Sequence, residues 1–152
     1  MTSRLQAVAD LVPECGRLLD IGTDHALLPI NLVGKNRCSS ALAVDLRPGP
    51  LAAARRNIAR AGLEKRIMTV QSCGLQAVTL GESDVLVMAG MGGYEMMAIL
   101  GDQPRICREI VLQPMKSVPE LRSWLCKKGY VIEKESLARS EEHTSELQSR
   151  HN

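Results

Sequence analysis

Phenylalanine is absent from the 152 residues, and Tyr94, Trp124 and Tyr130 are the only aromatic side chains. So few rings exclude a nucleic-acid binder that stacks base after base on aromatic platforms; a polyanion would have to be met through shape and charge. Net charge is small too. The formal net charge is +2, and an electrostatic footprint for nucleic acid needs clustering rather than a slight excess. There is no C-x-x-C pair. Cys15, Cys38, Cys73, Cys107 and Cys126 lie far apart, which argues against a zinc site of the usual spacing, and their odd number fits poorly with a disulfide framework. They read as reduced thiols of a cytoplasmic chain, with no metal expected. Long apolar runs are also missing. DVLVMAGMGGYEMMAIL is interrupted by Glu95 and a glycine cluster, and MTSRLQAVADLVPE carries acids and periodic apolar residues where a signal peptide would not. No membrane association is expected.

What is present is enough apolar residue, 45% of the chain, for one globular domain with a sizeable core. Short runs rich in Val, Ile and Leu occur at 17–22, 41–46, 67–71, 84–89, 109–113 and 130–134; each is too short for a helix and reads as a buried strand. Helical patterns lie between them: 3–11 ahead of the first strand, about 29–34, PGPLAAARRNIARAG from Pro48, a stretch after Gly93, and VPELRSWLCKKG from Val118. Pro50 near the start and Gly62 past the end punctuate the second of the intervening helices, and Ala52, Ala53, Ala54 and Ile58 give it propensity and an apolar stripe. Strands and helices alternating at this spacing predict βαβ units in an α/β fold with a mostly parallel sheet. From Arg139 the chain reads RSEEHTSELQSRHN. The periodicity stops there, and the stretch resembles a translated sequencing adapter. The domain is therefore set at 1–138, and 139–152 is expected to add no fold or function.

In such a sheet, ligands bind beyond the carboxyl ends of the strands. Those ends carry Asp20, Gly22 and Asp24, then Asp45, then SCGL at 72–75, MAGMGG at 88–93 and LQP at 112–114. Asp45, 25 residues after Asp20, is placed to bind both hydroxyls of an adenosine ribose, a role shared by nicotinamide and S-adenosylmethionine sites. It could equally cap the loop that follows. The loop DIGTDHALLP narrows the choice. A dinucleotide pyrophosphate needs G-x-G-x-x-G and no neighbouring negative charge, whereas only Gly22 is present here, flanked by Asp20 and Asp24. Carboxylates attract a ligand that is cationic where it meets this loop, as a sulfonium with an α-ammonium group is. The plainer alternative makes Asp24 a helix cap and His25 a surface residue. For MAGMGG the plainer alternative is a tight strand-to-helix turn.

DIGTDHALLPI, AVDLRPGPLAAARRNI, the GL after Cys73, MAGMGG and VLQP, in this order and at these separations, resemble the bacterial tRNA (adenine 22-N1)-methyltransferase family over nearly all of residues 3–137. The resemblance implies a Rossmann-like class I methyltransferase domain, S-adenosyl-L-methionine as cofactor and tRNA as partner. It also implies that the family's C-terminal helical domain is missing and the domain cut short. By the same resemblance, Asp20, Gly22, Asp24 and His25 belong to the cofactor loop and Asp45 to the ribose site. Cys73, Gly74 and Leu75 fall on the adenine side, and Gly90, Met91, Gly92 and Gly93 in the loop facing the target base. Asp24, His25 and Met91 are the candidate catalytic residues. The family usually has Tyr, Asp and Asn where this chain has Leu27, Cys73 and Met115; the loss at 73 removes a charge-assisted hydrogen bond worth about 1.5–3 kcal/mol of cofactor affinity. A small-molecule methyltransferase and a catalytically silent binding module of the same fold are the alternative readings. Arg55, Arg56, Arg60, Lys65 and Arg66, with Lys116, Arg122, Lys127 and Lys128, are either phosphate contacts or solvated surface.

Overall fold

A computed structural model describes residues 1–101, 107–138 and 144–151. The elements run α1 (Ser3–Leu11), β1 (Cys15–Ile21), α2 (Leu27–Gly34), β2 (Cys38–Asp45), α3 (Pro48–Arg60), β3 (Ile67–Gln71), β4 (Val85–Met91), α4 (Gly93–Gly101), β5 (Glu109–Pro114), α5 (Val118–Lys127), β6 (Tyr130–Ala138) and β7 (Thr144–His151). The strands form one sheet in the order β3-β2-β1-β4-β5-β7-β6. The first five run parallel to one another, and β7 runs antiparallel to both β5 and β6.

Alternation along the strands explains why both faces are covered. Successive side chains of a strand point to opposite faces, so Leu18 and Leu19, both fully buried, enter two different cores. Leu18 joins Val8, Leu28, Leu32, Ala43 and Ile58 under α1, α2 and α3. Leu19 joins Leu86, Met96, Leu100, Leu112 and Leu121 under α4 and α5. Each such leucine contributes about 1.5–3 kcal/mol by leaving water. In α3, Leu51, Ala54 and Ile58 fall on the buried stripe, Pro48 opens the first turn, and Gly62 follows the end at φ 70°. Arg17 ties β1 to the chain entering β4: its Nε and Nη2 donate to the two Asp84 carboxylate oxygens at 3.1 and 2.5 Å, and Nη2 also reaches the Thr79 carbonyl at 2.8 Å.

The stretch from Arg139, expected to add no element, supplies β7; residues 139–143 and 152 lie outside the described ones. Sheet pairing is made by backbone groups and is open to a polar segment that lies between two strand edges. Apolar periodicity does not report it. The side chains bear the cost. Leu147, Gln148 and Ser149 are buried, Gln148 Nε2 donates to Glu109 Oε2, yet Gln148 Oε1 and Ser149 Oγ find no hydrogen-bond partner among the described residues.

Candidate active site

The strand order reverses at β1, whose neighbours are β2 on one side and β4 on the other. A crevice opens at the carboxyl ends where the connections diverge, and this is where ligands sit in open α/β sheets. Two cavities share that rim. One, of about 560 Å³, is lined by Gly22, Asp45, Cys73, Gly74, Gly90 and Met91 among others. The second, of about 410 Å³, is lined by Arg4, Asp20, Gly22, Asp24, His25 and Gln113 among others. Gly22, Arg47, Ala89 and Gly90 line both, so two of the four residues shared by the cavities are glycines that offer bare backbone. Gly22 at φ 75° and Gly90 at φ 77° hold conformations that a side chain would strain. A Cβ on Gly22 would also stand 2.8 Å from Met91 Cε.

Four acids line the two cavities in different states of exposure: Asp20, Asp24, Asp45 and the exposed Glu95. Asp20 is buried and accepts from Thr23 Oγ1 at 2.9 Å. Burial pushes its carboxyl up to about 7, Thr23 opposes the shift, and the nearby Asp45 charge adds to it. Asp45, also buried, accepts from the Asp24 backbone N–H at 3.3 Å on one oxygen and from the Arg47 N–H at 3.0 Å on the other. It therefore fastens two loops, which is the capping role considered above. A carboxylate has about four lone-pair positions, and two remain for a ligand in the cavity that Asp45 lines. Asp24 and His25 project outward, with side chains 60% and 53% exposed and His25 Nε2 3.7 Å from Asp24 Oδ1. Asp24 does not cap a helix by its side chain: α2 begins at Leu27 behind Ala26 at φ 60°, with no side-chain cap. Residues 22–26 remain irregular chain, and Pro29 falls within the first turn of α2, where its missing N–H costs nothing.

The glycine loop is held from the neighbouring strand. Gln113, 1% exposed, accepts the Gly90 N–H on Oε1 at 2.9 Å, across a β-bulge at Ala89–Met91. Gly93 opens α4 against the Lys116–Ser117 backbone, where an added Cβ would lie 2.7 Å from the Ser117 carbonyl oxygen. MAGMGG is thus a tight strand-to-helix turn that also exposes backbone to a cavity. Cys73 is exposed at the first cavity, while Ser72 organises its loop by donating to the Gly74 carbonyl at 2.9 Å and accepting from Ala77 N at 3.0 Å. Leu75 points into the core beneath the loop and does not line either cavity.

Arg4, Thr23, Arg47 and Gln113 also line the site and were not singled out from the sequence. LQP contained the signal for Gln113, since a Gln ending a buried strand needs a partner; nothing in the local pattern marked Arg4. Its Nη1 reaches Met115 Sδ at 3.4 Å. Leu27, 45% exposed, stands at the second cavity. Four of the basic residues are already engaged: Arg55 donates to Thr69 Oγ1, Arg66 to the Ser39 carbonyl and Asn36 Oδ1, Arg122 to both carboxylate oxygens of Glu135, and Lys128 Nζ lies 5.7 Å from the Trp124 ring centroid. Among the described residues no helix is long and apolar enough to cross a membrane, and no cluster of three or more His, Cys, Asp or Glu could hold a metal.

Comparison with known proteins agrees with this fold. A tRNA (adenine(22)-N(1))-methyltransferase of Bacillus subtilis is 36% identical over 135 residues, covering 87% of this chain and 57% of that protein. The chain thus spans somewhat more than half the length of that relative. The structure of M. capricolum TrmK in complex with S-adenosyl-homocysteine superposes with a TM-score of 0.91 at 30% identity, over 100% of this chain and 69% of that one. A Streptococcus pneumoniae candidate tRNA (m1A22) methyltransferase in complex with S-adenosyl-L-methionine gives 0.93 at 32% identity, over 100% and 73%. Residues 1–147 match the methyltransferase domain family, and with the switch-point crevice, its acids and its glycine partition, the chain belongs to that family.

Proposed function

We propose that this chain binds S-adenosyl-L-methionine across the glycine partition and methylates N1 of an adenine in tRNA, in the cytoplasm. The observation that carries the reading is the charge of the rim. Two buried carboxyls and one exposed one converge where a dinucleotide enzyme would seat a pyrophosphate. A buried acid whose carboxyl is pushed up to about 7 lacks a cation, and an α-ammonium group satisfies it. Asp45 has acceptor capacity left for ribose hydroxyls, and Cys73 and Gly74 flank the adenine side. These residues fit the cofactor, which when bound supplies an electrophilic sulfonium methyl.

The remaining work is positioning. Adenine N1 already carries an in-plane lone pair, so no residue has to remove a proton first. The chain must present that edge of the base, which lies on the Watson–Crick side and has to leave its pair or stack. Asp24 is exposed at the second cavity and can accept from the N6 amino group while opposing the positive charge that grows on the ring; His25, 3.7 Å away, either orients it or contacts the substrate. Gly90, fixed by Gln113, lets backbone approach the base. With few aromatic residues available, tRNA is held through shape and charge, with Arg4 and Arg47 nearest the site.

The test is nucleoside mass spectrometry of tRNA incubated with the protein and S-adenosyl-L-methionine. N1-methyladenosine is expected; binding of the cofactor without that product would instead favour the silent-module reading, and tight binding of a nicotinamide dinucleotide with none of the sulfonium compound would overturn both.

A further inference from the structure

At the opposite rim of the sheet from the cavities, β1 and β2 begin with a cysteine each, and parallel register sets Cys15 directly beside Cys38. Their sulfurs are 3.1 Å apart, with the Cys15 thiol donating to Cys38 Sγ. Both are free thiols, Cys15 half-buried and Cys38 fully buried. A disulfide requires Cα atoms about 4.4–6.8 Å apart and a sulfur–sulfur bond of about 2.05 Å. Neighbouring strands are spaced at about 4.7–4.9 Å, so the backbone already meets the first condition and the sulfurs need close by only about 1 Å.

We propose that Cys15 and Cys38 form a reversible redox pair that a low-molecular-weight disulfide converts into an intrachain disulfide. The half-buried Cys15 meets the oxidant. Its thiolate attacks one sulfur of the small disulfide and expels one thiolate, leaving a mixed disulfide on Cys15. The Cys38 thiolate then attacks the Cys15 sulfur and expels the second. One external disulfide is reduced to two thiols, two protein thiols are oxidised to one disulfide, and the two protons they lose end on the released thiols. The roles follow the surroundings. Donation from Cys15 and the charge of Arg37 hold the Cys38 thiol below its ordinary value, which suits the second attack, whereas the hydrogen bond and burial push Cys15 up and slow the first. Bridging adjacent strands of one sheet constrains the bond, and constrained disulfides are the ones that reduce readily. The pair stands independently of the proposed methyl transfer, since Asp45 lies at the far end of β2.

The exposed Cys73 and Cys126 are internal controls. The reduced protein is equilibrated in glutathione buffers of increasing oxidised fraction, trapped with acid, alkylated and digested with trypsin. Cleavage after Arg17 and Arg37 separates the two cysteines onto different peptides. A cross-linked pair of those peptides, lighter by two hydrogens, is expected before or together with single glutathione adducts on Cys73 and Cys126. It should persist in a Cys73→Ser/Cys126→Ser chain and revert with dithiothreitol. If Cys15 and Cys38 stay open to alkylation after denaturation while the surface cysteines are fully modified, or if the cross-link vanishes in the double variant, the proposal fails.

Discussion

Asp20→Asn isolates the electrostatics of the site. The native carboxyl is pushed up from 3.8 to about 7, chiefly by burial and further by Asp45. The folded chain therefore holds this proton more tightly than the unfolded one. The associated stability is fully present below about pH 3.8 and is lost as pH rises through about 7. A shift of about three units corresponds to about 4 kcal/mol, and local relaxation brings the figure to about 2–4 kcal/mol. Asparagine keeps an oxygen to accept the Thr23 hydroxyl and cannot ionise, so it removes the pH-dependent part alone. Urea denaturation of both chains from pH 4.5 to 8.5, without ligand, should give curves that diverge with pH, the variant gaining on the wild type by that amount. Calorimetric titration with S-adenosyl-L-methionine at pH 8 should show the reverse ranking, the variant binding at least about tenfold more weakly because a cation has lost its carboxylate. Parallel stability curves would refute the claim that Asp20 is a buried acid awaiting a cation; equal affinities would refute its role in binding.

Asp24 sits at φ 55°, which Asn tolerates better than Ala, so Asp24→Asn tests its chemistry without straining the loop; N1-methyladenosine formation should fall by about 100-fold with an unchanged circular dichroism spectrum, and an unchanged rate would remove Asp24 from the mechanism. Cys73→Asp should tighten S-adenosyl-L-methionine binding by about 10- to 150-fold in a calorimetric titration, through one charge-assisted hydrogen bond to the adenine amino group; no gain would mean that this loop does not face the adenine. Ser149, fully buried with its hydroxyl unpartnered, is registered beside Ile110 and Ile132. Ser149→Val should therefore raise stability by about 1–3 kcal/mol in urea, and a loss would show that the slot is not apolar.

The parts of the fold legible in the sequence were those where side-chain polarity reports burial. Ile67–Gln71 was found at its observed bounds, and the strands running into Gly22 and MAGMGG were placed because apolar runs end there. The amino ends of β1 and β2 reach back to Cys15 and Cys38, beyond the expected starts at 17 and 41, because exposed residues such as Gly16 and Ser39 carry no periodic signal. β7 escapes the sequence reading for a different reason: Gln148 and Ser149 are polar yet buried, so no apolar pattern marks the strand. Within the site, Asp20, Gly22, Asp24, His25, Asp45, Cys73, Gly74, Gly90 and Met91 all converge on the two cavities, since strand ends are close in space once the sheet is parallel. Leu75 joins them only through the family resemblance, and its apolar side chain turns to the core. Gln113 and Arg4 depend on which strands and helices become neighbours, and that is a property of topology.

α1 has two ends with different attachments. Arg37 fastens the carboxyl end by donating to the Ala9 and Val12 carbonyls, while Thr2 caps the opposite end by accepting from Leu5 N and, with Arg4 and Leu5, forms a wall of the second cavity. An affinity handle fused ahead of Met1 would thus emerge at the mouth of that cavity, and its basic or bulky residues would compete there with the substrate proposed above. Assays of this protein are best made on chains from which any such leader has been cleaved.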